Sequence, residues 1–198
     1  MQAYHAVLYI HLLSLLIATG ASAVMHVSDV EMRRAQTLGE VGRAGMRAKS
    51  AAMTFPLAVV GLVGSGIYMG HHIAWGWTSA WLLAGMVGLF AIVVLGDGVN
   101  GRHGRKLGAT IGATIGRSGD GPVTDEVRAL LADPIGKVAS VAPTTLMLGI
   151  VYVMTEKPGA VGSALALAIS LVAAGVIAPL LLRTPAAALA EAQAPELA

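Results

Sequence analysis

The sequence predicts an all-α, polytopic membrane helical bundle of five transmembrane helices, with the N-terminus outside and the C-terminus in the cytoplasm. Three observations carry that expectation. Of the 198 residues 56% are apolar and only 12% charged, against roughly a quarter charged in a soluble globular domain. A bilayer core about 30 Å thick asks for roughly 20 apolar residues per spanning helix, and five stretches approach that length: 3–25, 51–69, 80–96, 138–154 and 160–182. The cations also sort by loop. Eleven of the 13 lie between the first and second runs (Arg33, Arg34, Arg43, Arg47, Lys49) or between the third and fourth (Arg102, Arg105, Lys106, Arg117, Arg128, Lys137). Positive loops stay in the cytoplasm, so 28–50 and 97–137 are the expected cytoplasmic segments. The five helices and their loops use nearly the whole chain, which predicts one integral membrane domain over 1–198.

The first run ends in "ATGASA", which looks like a signal-peptide cleavage site, but the leader "MQAYH" lacks a positive n-region. A retained helix is therefore expected. Along it, Tyr4, His11, Ser14, Ala18, Ser22 and Met25 form a small and polar stripe at helical spacing, which should face the bundle interior. Small residues spaced for close helix contact recur in the next two runs: Gly61 with Ser65, Gly66 with Gly70, Ala84 with Gly88.

Between those runs the turn "GHHIAWGWTSAW" places Trp75, Trp77 and Trp81 at the expected headgroup level, where indoles concentrate. Asp97 closes the third run, with an ion pair to Arg47 or Lys49 as the ordinary expectation. Beyond it, "LGATIGATIGRSGDGP" reads as a cytoplasmic extension or interfacial helix followed by a turn, then a short helix from Thr124 through Ala132 that stops at Pro134. In the fourth run Ser140, Thr144 and Thr145 flank Pro143, and their hydroxyls are expected to re-satisfy a proline-kinked backbone. Runs two and four look like weak copies at an offset of 88 residues, each with a mid-helix proline (Pro56, Pro143), which suggests one helix plus two similar hairpins. The tail 184–198, rich in Ala and Pro, is expected to be frayed.

Chemistry is sparse. Absence of cysteine excludes disulfides and thiolate sites. The glycine-rich stretch lacks the GxxxxGK[ST] of a nucleotide loop, there is neither GxSxG nor HExxH, and no intramembrane carboxylate pair is available. Neither nucleic acid nor nucleotide is expected as a partner, and any redox activity would be borne by a cofactor rather than by side chains. The nine methionines are scattered like core filler.

Histidine is the residue with prospects. His11 lies six residues beyond His5, about 9 Å deeper, inside the hydrocarbon, where a polar ring faces protein or water. His71 and His72 approach the same outer half from the turn between the second and third runs. Two imidazoles from separate helices suit a b-type haem, and neutral imidazole also suits copper. The cofactor candidates are thus His11, His72 and His71, and the candidates for a bare metal are His11, His5 and His72. His26, about 22 Å further along the helix, and His103 are weaker candidates for a second site across the membrane.

The stretches "YIHLLSLLIATGASAVMHVSD", "FPLAVVGLVGSGIYMG" and "WTSAWLLAGMVGLF" resemble a family of bacterial integral membrane proteins known only as a domain of unknown function. They are also distantly similar to the copper-resistance D membrane domain and to HemJ-type haem-binding protoporphyrinogen oxidases, through a first-helix histidine followed nine residues later by a small residue, here His11 and Gly20. The resemblance implies a helical bundle whose His11 binds haem or takes part in copper handling. The chain departs from the oxidase pattern in having no tryptophan in the first helix and in the early position of His26. The functional expectation is haem binding near the outer face for electron transfer or cofactor handling. The alternatives are copper or small-solute transport, and a structural or assembly subunit of a larger membrane complex, with homo-oligomerisation through the small-residue faces.

Overall fold

The computed structural model describes residues 2–72 and 76–181. Its elements are helical: α1 (Gln2–Arg34), α2 (Leu38–Ala52), α3 (Phe55–His72), α4 (Ala80–Val93), a π-helical segment (Val94–Gly101), α5 (Arg102–Ser118), α6 (Asp125–Ala132), α7 (Pro134–Glu156) and α8 (Ala160–Leu181). Five helical stretches, Ala3–Arg34, Leu38–His72, Ala80–Arg117, Pro134–Glu156 and Ala160–Leu180, are long and apolar enough to cross a membrane. By that criterion the chain is a multi-pass membrane protein. The predicted tail 184–198 and Trp75 lie outside the described residues.

Several helices run past the predicted spans because hydropathy ends a span at the first charges, whereas backbone hydrogen bonding does not. α1 continues from residue 25 to Arg34, and α4 passes through the π-helical segment straight into α5. Packing is inside-out relative to a soluble core. Leu16, Leu57, Phe90 and Val161 are each at least 68% exposed, while Ala18, Ala58, Ala142, Ala174 and Ala178 are buried. Small residues let backbones approach where no hydrophobic drive separates protein from lipid. Gly61 shows the constraint: a Cβ there would overlap the Ser14 hydroxyl of α1. At Gly88 an added Cβ would lie 2.8 Å from Ile150 of α7.

Two packing groups result. α1 runs antiparallel to α2 and α3, with Ser14 opposite Gly61, His11 opposite Ser65 and Met32 opposite Gly45. α4, α7 and α8 form the other group. α3 therefore lies on α1 and α4 on α7, so the two similar hairpins expected from the sequence are not equivalent: only α7 and α8 pack as a hairpin. Nor do the prolines match. Pro56 is the second residue of α3, after a turn at Met53 and Thr54, where its missing N–H costs nothing. Pro143 is well inside α7.

On the face carrying most of the cations, α2, α5 and α6 build a small platform beneath the end of α1. Its core is Leu38, Val41, Leu107, Ile111, Val123, Val127 and Leu131. The α1–α2 turn is stitched to the α5–α6 loop by Leu38 N–H to the Gly121 carbonyl (2.9 Å), Val123 N–H to the Gln36 carbonyl (3.1 Å) and Gly39 N–H to Asp120 (2.8 Å). A capping box of Thr37 and Glu40 starts α2. Thr124 caps the short helix α6, Asp125–Ala132, and Asp133 caps α7.

Candidate functional site

α1 is the helix that brings ionisable groups into the bundle, because its small and polar stripe is the face that can pack closely. Ser14, Ala18, Ser22 and Ser28 are all buried along it. Near the α1 N-terminus, half-buried His11 places Nδ1 2.9 Å from the Ser65 hydroxyl of α3. Ser65 in turn donates to the Gly61 carbonyl, with the Leu62 carbonyl 3.2 Å away. A hydroxyl has one proton to give. With that proton on a carbonyl, Ser65 Oγ can accept from His11 Nδ1–H, in the tautomer that leaves the imidazole lone pair on Nε2.

The other predicted histidines are placed differently. His72 lies seven residues beyond Ser65 on the same face of α3, about 10 Å along the axis. Its ring is exposed and stacks on Tyr68, with centroids 4.7 Å apart. His71 is also exposed at the helix end. In the antiparallel register this level of α3 faces the start of α1, where His5 is exposed and lies edge-on to Tyr4. The structure thus joins His11 to Ser65, not to His71, His72 or His5. Among the described residues no group of three or more His, Cys, Asp or Glu side chains comes together as a metal site. Trp77 packs over Gly70, and Trp81 carries the Lys157 ammonium 5.6 Å from its ring centroid.

A second polar cluster occupies the seam between α1 and α7 toward the basic face. His26 Nε2 is 2.7 Å from the Thr144 hydroxyl. One turn on, Asp29 accepts from Ser140 at 3.1 Å and from Arg33 Nη2, whose side chain is only 5% exposed. The Nε and Nη1 of Arg33 are buried without a hydrogen-bond partner among the described residues. Sequence reasoning treated Arg33 only as a loop cation and passed over Asp29. The available signal was the i, i+4 spacing of the pair on a helix extending the polar stripe.

Next to it, Pro143 of α7 is served differently from the sequence expectation. Proline has no N–H, so the Ala139 carbonyl four residues earlier loses its helical donor. That carbonyl is satisfied by Asn100 Nδ2 of the π-helical segment at 2.7 Å, not by a neighbouring hydroxyl. Thr145 donates to the Ala142 carbonyl instead, and Ser140 Oγ lies 2.9 Å from the Lys137 carbonyl, which competes with Asp29 for the one hydroxyl proton. Asp97 also departs from expectation: it is exposed, and Arg47 pairs with Glu31. His103 on α5 faces Asp133 at 3.7 Å, outside either cluster.

Between the two clusters, midway along α1, Ala18, Ala58 and Met147 with Leu15, Ile17, Phe55 and Ile92 make an apolar layer. The two polar clusters thus lie on opposite sides of an apolar layer. No family model matches the chain, and no curated protein or solved structure matches it.

Proposed function

We propose that this membrane protein binds a b-type haem through His11, in the half of the bundle that holds the α1 N-terminus, and serves electron transfer or cofactor handling. The observation carrying the reading is the Ser65 relay. Ligating histidines characteristically donate their other ring N–H to an oxygen acceptor, which fixes tautomer and ring orientation and leaves the second nitrogen for the metal. The contact of His11 Nδ1 with Ser65 Oγ suits that arrangement, and the residues fit the group to the extent that His11 of α1 would hold it through Nε2. Bound haem would supply the one-electron chemistry. The chain's own part is to hold the His11 ring by Ser65 and to wall it off from the far side by the apolar layer around Ala18. His72 and His71 are the candidates for a second ligand, at the level above. The distribution of cations supports placing this half outside and the basic platform in the cytoplasm of a bacterial inner membrane.

An absorbance scan of the detergent-purified protein after haem supplementation tests this. A Soret band lost in His11→Ala and weakened or shifted in Ser65→Ala is expected. No band, or one indifferent to His11→Ala, refutes it.

One observation favours a second reading, transport of copper or another small solute. The seam between the two packing groups is where His26, Asp29, Arg33, Ser140 and Thr144 meet, and intramembrane ionisable groups facing an interior mark solute and ion pathways. Rocking of α1–α3 against α4–α7–α8 about that seam would open either polar cluster in turn. Uptake of copper(I) into proteoliposomes, abolished by Asp29→Asn, is the expected result; uptake no faster than in protein-free vesicles rejects this reading.

A further inference from the structure

The α1–α2 corner holds a groove of about 270 Å³ lined by Glu31, Arg34, Glu40, Arg43 and Arg47 with Ala35 and Ala44. Its charges are not equally available. Glu31 is taken by Arg47, and Glu40 accepts the backbone N–H groups of Gln36 and Thr37 in the capping box. Arg34 and Arg43 are exposed, and no hydrogen bond or ion pair among the described residues holds either side chain. Two guanidinium groups therefore face one groove with their acidic neighbours already engaged. Paired, forked N–H donors of this kind match a phosphate.

The surroundings identify which phosphate. Arg34 ends the first apolar span, Ala3–Arg34, so the groove lies where a helix leaves the membrane. One helical face connects Arg34 and Glu31 to Val27 and Val24, which are 59% and 46% exposed. Across the seam, antiparallel to it, α2 carries Arg43 and Arg47, and beyond its end at Ala52 the exposed Met53 (73%) and Leu57 (70%) continue the chain toward the span. A charged groove thus opens onto an apolar strip that descends into the span. We propose that this corner is a binding site for an anionic phospholipid, its headgroup phosphate held by Arg34 and Arg43 and an acyl chain lying along Val24, Val27 and Leu57.

Native mass spectrometry of the full-length protein in detergent, with dioleoyl phosphatidylglycerol or dioleoyl phosphatidylcholine, tests it. Each cation near such a headgroup is worth about fivefold in affinity. Phosphatidylglycerol should be retained at least tenfold better than phosphatidylcholine, resist 10 mM inorganic phosphate, and lose that preference in R34Q/R43Q. The lysine pair R34K/R43K should keep most of it, and R102Q/R105Q, altering exposed cations elsewhere, should keep all of it. Equal retention of the two lipids, equal loss in both glutamine variants, or displacement by inorganic phosphate overturns the proposal, the last by assigning the groove to a soluble phosphate.

Discussion

Asn100 and Pro143 sit on different helices, and the structure couples them through one carbonyl. Without an N–H at residue 143, the buried Ala139 carbonyl depends on Asn100 Nδ2 at 2.7 Å. Replacing Asn100 with Ala strands that acceptor. Interhelical hydrogen bonds in membrane proteins average about 0.6 kcal/mol, whereas a buried group left without a partner costs about 1–3 kcal/mol. The second case applies, because the alternative donor is sterically absent, so N100A should destabilise by about 1–2 kcal/mol. Alanine also has a better helix propensity than Asn, by a few tenths of a kcal/mol, which offsets part of the loss. A double-mutant cycle removes that offset. In a P143A background the new N–H of residue 143 serves the Ala139 carbonyl, and N100A should then cost under about 0.5 kcal/mol, a coupling of about 1 kcal/mol. Reversible unfolding in mixed micelles, followed by far-UV circular dichroism across all four proteins, gives the numbers. If N100A costs the same with and without the proline, Asn100 is not replacing the lost helical donor and the reasoning fails.

Two further outcomes follow from the packing. Asp29→Ala should cost about 3–5 kcal/mol, since it leaves the buried Arg33 guanidinium unpaired, and the double variant D29A/R33M should regain most of it; thermal melts that rank the double variant below D29A would contradict this. Gly61→Val should push α3 away from Ser14 and cost about 1–3 kcal/mol through overpacking, with Ser14→Gly relieving part of the loss. Equal melting temperatures for G61V and the native chain would show that the contact at Ser14 does not limit helix approach.

The sequence by itself determined the number of spans and the face of α1 that turns inward. Both follow from solvent chemistry acting on single residues: apolar length is set by bilayer thickness, and Ser14, Ala18 and Ser22 share a face by helical geometry alone. It also marked His11 as a deep polar group and the short helix ending before Pro134. The tertiary structure decided which residues meet. Ser65 beside His11, Thr144 beside His26, Ser140 beside Asp29 and Asn100 beside the Ala139 carbonyl are contacts between helices whose rotation and order no periodicity encodes. The expected equivalence of the 51–69 and 138–154 runs failed for the same reason, since matching apolar spacing does not say which neighbour a helix will pack on. Hydropathy is a property of a residue and its solvent and can be read one position at a time. A hydrogen bond between helices depends on two backbones held in one relative placement, and only the packed bundle supplies that.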